Sequence, residues 1–137
     1  MQEKIRLLII DDEPIVGKRL KPALEKMGLA VEAVDNPREA LRLFDCQPFD
    51  IVVTDVRMEG VDGIAILEHV TQNFPRTKVI MITGYAMMST AREAMDKGAF
   101  DFIAKPFEPD ELRVIVERAA AALGYDTQAP TSKGGND

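Results

Sequence analysis

Short apolar runs alternate five times with longer stretches in which apolar residues recur every three or four positions. The first run, Ile5 to Ile10, is nearly continuous in its hydrophobicity, which suits a strand covered on both faces. It stops at Asp11-Asp12-Glu13. Pro14 suits the first turn of a helix, and Val16, Leu20, Leu24 and Met27 then form one helical stripe closed by Gly28. Pro22 stands inside that stripe. It removes one backbone hydrogen bond, at about 3 kcal/mol in an ordinary helix interior, so a kink is expected there. Ala30 to Val34 reads as a second strand, and Asn36 can cap a helix opening at Pro37 with Ala40, Leu41 and Phe44 inward. Ile51 to Thr54 is rich in β-branched residues, as a buried third strand would be. Ile64, Leu67 and Val70 mark a third helix ending near Asn73, and Lys78 to Thr83 a fourth strand. A fourth helix is expected from Met88 to Lys97, closed by Gly98. Asp101 to Ala104 makes a fifth strand, broken by Lys105-Pro106, and a last helix starts near Pro109.

Strand and helix alternating through short loops predict an α/β fold, a doubly wound five-stranded parallel sheet with helices on both faces. Four sets of polar residues stand directly after apolar strands: Asp11-Asp12, Asp55, Thr83 and Lys105. In a parallel sheet all of them reach one edge. Ligands bind at that edge where the strand order reverses, and in the flavodoxin-like order 2-1-3-4-5 the reversal falls between the first and third strands. That order would bring Asp12 and Asp55 together.

The 137 residues suit one domain, and 46% apolar with 29% charged residues is a globular profile. From Gly124 the chain turns polar and Gly-rich, so residues 1–123 are expected to form the domain and 124–137 a flexible tail or a severed linker. A net charge of −6 argues against direct nucleic-acid binding, which needs clustered Lys and Arg. One cysteine, Cys46, excludes an internal disulfide, and with one histidine, His69, no cysteine–histidine metal site can form. Cys46 is expected to pack or to be inert, and His69 to lie on the third helix. The amino terminus does not read as a signal peptide, and no stretch reaches transmembrane length, so the expected location is the cytoplasm, away from any membrane.

Three carboxylates in one cleft repel one another and raise each other's pKa. A divalent cation resolves this, and hard oxygen ligands that leave room for water suit Mg2+. Such an ion also neutralises an incoming phosphoryl group. Asp55 could then be a nucleophile that forms an acyl phosphate. Lys105 can pair with Asp55 or with a phosphoryl oxygen, and the Thr83 hydroxyl can donate to another. Each residue also has a plainer reading: Asp11 or Asp12 as a helix cap, Asp55 as a turn residue, Thr83 as a strand end, Lys105 as a solvated amine. Their joint occurrence, each after the right strand, favours the chemical one.

Leu-Ile-Ile-Asp-Asp-Glu-Pro (8–14), Thr-Asp-Val-Arg-Met (54–58), Asp62-Gly63, Ile-Thr-Gly (82–84) and Gly-Ala-Phe-Asp-Phe-Ile-Ala-Lys-Pro-Phe (98–107) resemble the receiver domain of two-component response regulators, of the chemotaxis and sigma-54-activator kinds. The resemblance spans roughly residues 4 to 123. It implies that Asp55 is the phosphoacceptor, that Asp12 binds Mg2+ directly and Asp11 largely through water, and that the Arg57 backbone carbonyl completes the protein ligands. Thr83 and Lys105 would sense the phosphoryl group, Phe102 would be the switch aromatic, and the Lys105-Pro106 bond would be cis. The implied partners are a histidine kinase or phosphotransfer protein upstream, and a downstream protein or a second copy on the face of helix 4, strand 5 and helix 5. There Arg92, Glu93, Asp96, Lys97 and Arg113 could pair across a two-fold axis or simply be solvated. The implied role is a signalling switch rather than a turnover enzyme.

Two positions depart from the family's usual pattern: Glu59, where proline is common, and Phe102, where tyrosine is common. An aspartate-nucleophile phosphatase of the haloacid dehalogenase type would place its nucleophile after the first strand, with a second Asp two residues on; here Arg57 stands two after Asp55. An FMN carrier would need a phosphate cradle where Asp11-Asp12-Glu13 stands. A receiver cut from a larger transcriptional regulator stays open as the alternative.

Overall fold

The computed structural model describes residues 4–56, 63–84 and 88–124. Five strands, β1 (Arg6–Ile10), β2 (Ala30–Val34), β3 (Ile51–Asp55), β4 (Lys78–Gly84) and β5 (Asp101–Lys105), alternate with five helices. The helices are α1 (Pro14–Glu25), α2 (Pro37–Cys46), α3 (Gly63–Asn73), α4 (Met88–Asp96) and α5 (Pro109–Ala122). All strand pairs are parallel, in the order β2-β1-β3-β4-β5.

The period-2 geometry of each strand divides its side chains between two cores. Leu7 and Ile9 of β1 join Val53 and Ile82 against Leu20 and Leu24 of α1 and Leu112 and Val116 of α5. Leu8 and Ile10 join Val52 and Met81 against Phe44 of α2, Leu67 and Val70 of α3 and Ala94 of α4. β1 and β3 are buried on both faces, which explains their unbroken hydrophobicity. Burial at ~25 cal/mol per Å2 of apolar surface makes these two cores the main source of stability.

Local signals act where expected. The Asn36 side chain accepts from the N–H groups of Arg38 and Glu39 at 2.8 and 3.2 Å, capping α2. Gly28 adopts φ 90° after α1, and Gly98 φ 104° after α4, values that favour glycine. Helix α1 continues through Pro22 to Glu25. Gly17 lets α1 approach β2, since a Cβ there would lie 2.8 Å from that of Ala33. Cys46, expected to pack or to be inert, does not pack: it is an exposed free thiol at the end of α2. His69 does lie on α3, and its Nε2 is 3.2 Å from Asp45 Oδ1 of α2.

Candidate metal and phosphoryl site

β1 and β3 lie side by side with Ile10 opposite Thr54, so Asp11 and Asp55 emerge next to each other at the carboxyl edge. Oxygen atoms of Asp11, Asp12 and Asp55 all lie within 4.8 Å of one another. Asp11 and Asp55 are buried, and Asp12 is exposed. Neither aspartate caps α1. The N-cap is Glu13, and Asp11 Oδ1 accepts the Glu13 backbone N–H at 2.9 Å, which fixes the turn from β1 into the helix.

Lys105, at the end of β5, reaches back across the edge. Its Nζ is 3.1 Å from Glu13 Oε1, 3.2 Å from Asp55 Oδ2 and 3.4 Å from Asp11 Oδ2. The first two contacts are hydrogen bonds. Burial pushes the ammonium's pKa down, but the hydrogen bond to Glu13 and the charges of Asp55 and Asp11 outweigh it, and the net shift is upward. The Asp11 carboxyl is pushed up from 3.8, first by burial and then by the Asp55 charge, against the Glu13 amide and Lys105. Its Oδ2 is buried and, among the described residues, accepts no hydrogen bond. The Lys105-Pro106 peptide bond is cis.

These residues fit a hard divalent cation. Three carboxylates converge, the buried Asp11 Oδ2 accepts no hydrogen bond among the described residues, and the Lys105 ammonium already stands among them as a positive counter-charge.

Thr83 follows Ile82, which sits opposite Asp55 in the β3–β4 ladder. Its hydroxyl is buried and, among the described residues, has no hydrogen-bond partner. Phe102 lies opposite Met81 and is only partly buried against the core on the α2–α3–α4 side. Arg57, Glu59 and Asp62 lie outside the described residues.

Sequence reasoning missed two contributors. Glu13 was visible as the third acid of its run, but its bond to a lysine 92 residues away was not. Gly63 opens α3 directly behind Asp55: a Cβ there would lie 2.2 Å from the Asp55 carbonyl oxygen. Of the charges expected on the α4–β5–α5 face, Lys97 is hydrogen-bonded to Glu68 at 2.8 Å and Arg113 to Asp110 at 3.1 Å. These two therefore already have partners within the chain. Met95 and Val114 are exposed apolar side chains of α4 and α5.

The family model described as the response regulator receiver domain matches residues 7–117. The regulatory protein AtoC of Escherichia coli K12 is 45% identical over 115 residues, which cover 83% of this chain and 25% of AtoC. The chain thus spans about a quarter of the length of the curated relatives it matches. A response regulator receiver domain protein from Clostridium thermocellum superposes with a TM-score of 0.81 at 32% identity, covering 86% of this chain and 95% of that one. The beryllofluoride-activated NtrC4 receiver domain dimer gives a TM-score of 0.81 at 31% identity, covering 86% and 98%.

Proposed function

Because the chain belongs to the response regulator receiver family, we propose that Asp55 accepts a phosphoryl group from a phosphohistidine of a kinase or phosphotransfer protein in the cytoplasm. The observation that carries this reading is the convergence of Asp11, Asp12 and Asp55 with Lys105 against Asp55. Asp11, Asp12, Asp55 and the Arg57 backbone carbonyl would hold Mg2+. Bound there, the ion supplies charge neutralisation to the transferring group. A carboxylate oxygen of Asp55 attacks phosphorus, a P–O bond forms as the donor's P–N bond breaks, and the imidazole leaves. Lys105 then exchanges Asp55 Oδ2 for a phosphoryl oxygen. The buried Thr83 hydroxyl, without a partner among the described residues, donates to another. Phe102, half-buried in the resting state, moves into the space Thr83 vacates.

The phosphoryl group carries nearly two negative charges and favours the packing in which Lys105 and Thr83 turn to it. The face of α4, β5 and α5 would report that choice to a partner protein or a second copy of the chain. Residues 1–123 form the receiver in this reading, and 124–137 a tail or linker. Because the relatives are about four times as long, an attached output domain is the second reading of where the signal goes.

Incubation with acetyl phosphate and Mg2+ tests the acceptor. The parent should take up one phosphoryl group, seen by mass, and Asp55→Asn none. Equal labelling of that variant would overturn the assignment.

A further inference from the structure

The resting site holds a fourth acid that the proposed phosphoryl chemistry does not use. Glu13 Oε1 accepts from Lys105 Nζ at 3.1 Å, as close as the Asp55 bond at 3.2 Å, while the Glu13 backbone N–H bonds Asp11 Oδ1 at 2.9 Å. The backbone bond fixes the start of α1, and with it the root of the Glu13 side chain, relative to the buried acid. Lys105 therefore stands between two kinds of anion: Asp11 and Asp55 inside the cleft, and Glu13 at its exposed rim. A divalent cation among Asp11, Asp12 and Asp55 would cancel the charge that draws the ammonium inward and would repel the ammonium itself. Among the described residues its carboxylate partners are Asp11, Asp55 and Glu13, and of these Glu13 alone lies outside that set.

The geometry points to Glu13 as a positioning residue that receives the Lys105 ammonium when a divalent cation takes its place among the aspartates, keeping it at the rim for the incoming phosphoryl group. This rests on the cation reading of the site. Glu13 then stabilises the loaded site more than the empty one, because in the empty site Lys105 retains Asp55 and Asp11 as well. Exposure of the Glu13 side chain limits the effect to the range of solvent-exposed ion pairs.

Calorimetric titration of Mg2+ into the parent, Glu13→Gln, Lys105→Ala and the double variant tests this as a double-mutant cycle. Glu13→Gln should weaken Mg2+ binding roughly two- to five-fold. Lys105→Ala should tighten it by removing a competing cation. In the Lys105→Ala background, Glu13→Gln should have almost no effect. An equal loss in both backgrounds would show that Glu13 acts through its own charge, and no loss in the parent would show that it does not act at all; either overturns the inference. A parent that takes up no Mg2+ would instead overturn the cation reading. Labelling of the Lys105 amine by a succinimidyl ester, followed by mass spectrometry, gives a readout apart from affinity. Mg2+ should accelerate it several-fold in Glu13→Gln and little in the parent, and similar acceleration in both would again refute the hand-off.

Discussion

Asp11→Asn should make the metal-free protein more stable. The carboxylate is buried, Oδ1 accepts one backbone N–H, and Oδ2 accepts no hydrogen bond among the described residues. Its like-charged neighbours, Asp12 and Asp55, lie within 4.8 Å. At an effective dielectric near 20, each repulsion amounts to about 3.5 kcal/mol, against about 5 kcal/mol of attraction to Lys105 at 3.4 Å. The balance is about 2 kcal/mol of repulsion, and solvent around the exposed Asp12 reduces it. Ending the burial of a charge that accepts no hydrogen bond on one oxygen among the described residues adds about 1 kcal/mol back. Asparagine keeps the shape and an acceptor for the Glu13 N–H.

A gain of about 1–2 kcal/mol follows, or about 4–8 °C in Tm for a domain of this size. The pH dependence has a definite sign. A carboxyl whose folded pKa lies above its unfolded value keeps extra protons in the folded state, so stability falls as pH rises from 3.8 through the raised value. Asp11→Asn lacks that loss, and the gap between the two proteins should open above pH 4. Thermal melts by circular dichroism in EDTA, from pH 4 to 8, measure it. A variant that melts at or below the parent at pH 7 would refute the electrostatic account. In excess Mg2+ the order should reverse, because only the parent gains full binding energy.

Gly63→Ala should be among the costliest single-methyl additions, at about 3 kcal/mol. The new Cβ would meet backbone on both sides, the Asp55 carbonyl oxygen at 2.2 Å and Val56 Cα at 2.9 Å, so no side-chain rotation relieves it. Urea unfolding measures the loss, and phosphoryl uptake from acetyl phosphate should fall with it. Thr83→Val should be neutral or stabilising by about 1 kcal/mol, since it replaces a buried hydroxyl without a partner among the described residues by a methyl of similar size. Phosphoryl uptake on Asp55 should persist in that variant, while beryllofluoride-induced NMR shifts on α4 and β5 should shrink.

The elements were legible because burial on both faces writes unbroken hydrophobicity into β1 and β3, and because Asn36, Gly28 and Gly98 mark helix ends through local chemistry. The gathering of the candidate site residues at one edge was legible for a related reason. Asp11, Asp55, Thr83 and Lys105 each stand where a strand ends, and a parallel sheet carries such positions to one edge. Contacts between remote side chains on different elements left no mark. Lys105 and Glu13 are 92 residues apart, Asp45 and His69 sit on neighbouring helices, and Lys97 meets Glu68 across the α3–α4 boundary. Asp11 shows the limit of local reading: its bond to the Glu13 amide resembles a cap in sequence, but it shapes the turn before the helix while Glu13 takes the cap position.

The two buried oxygens without a donor or acceptor among the described residues, Asp11 Oδ2 and Thr83 Oγ1, both belong to the carboxyl edge of the sheet. Buried polar atoms of this kind are rare and costly, so each weakens the resting state in proportion to what it lacks. The two lack different things. Asp11 Oδ2 is a charged acceptor with the Lys105 ammonium 3.4 Å away but no hydrogen bond among the described residues, and a bound cation would answer it. The Thr83 hydroxyl can donate, and an anion would answer it. A ligand shifts a two-state equilibrium only through its differential affinity for the states, and in the proposed switch that differential would be stored beforehand in separate atoms. Mg2+ alone should therefore stabilise the parent and Thr83→Val equally, whereas adding beryllofluoride should stabilise the parent by more. If the two proteins gain equally from both, Thr83 is a packing residue and the switch must draw its energy from somewhere else.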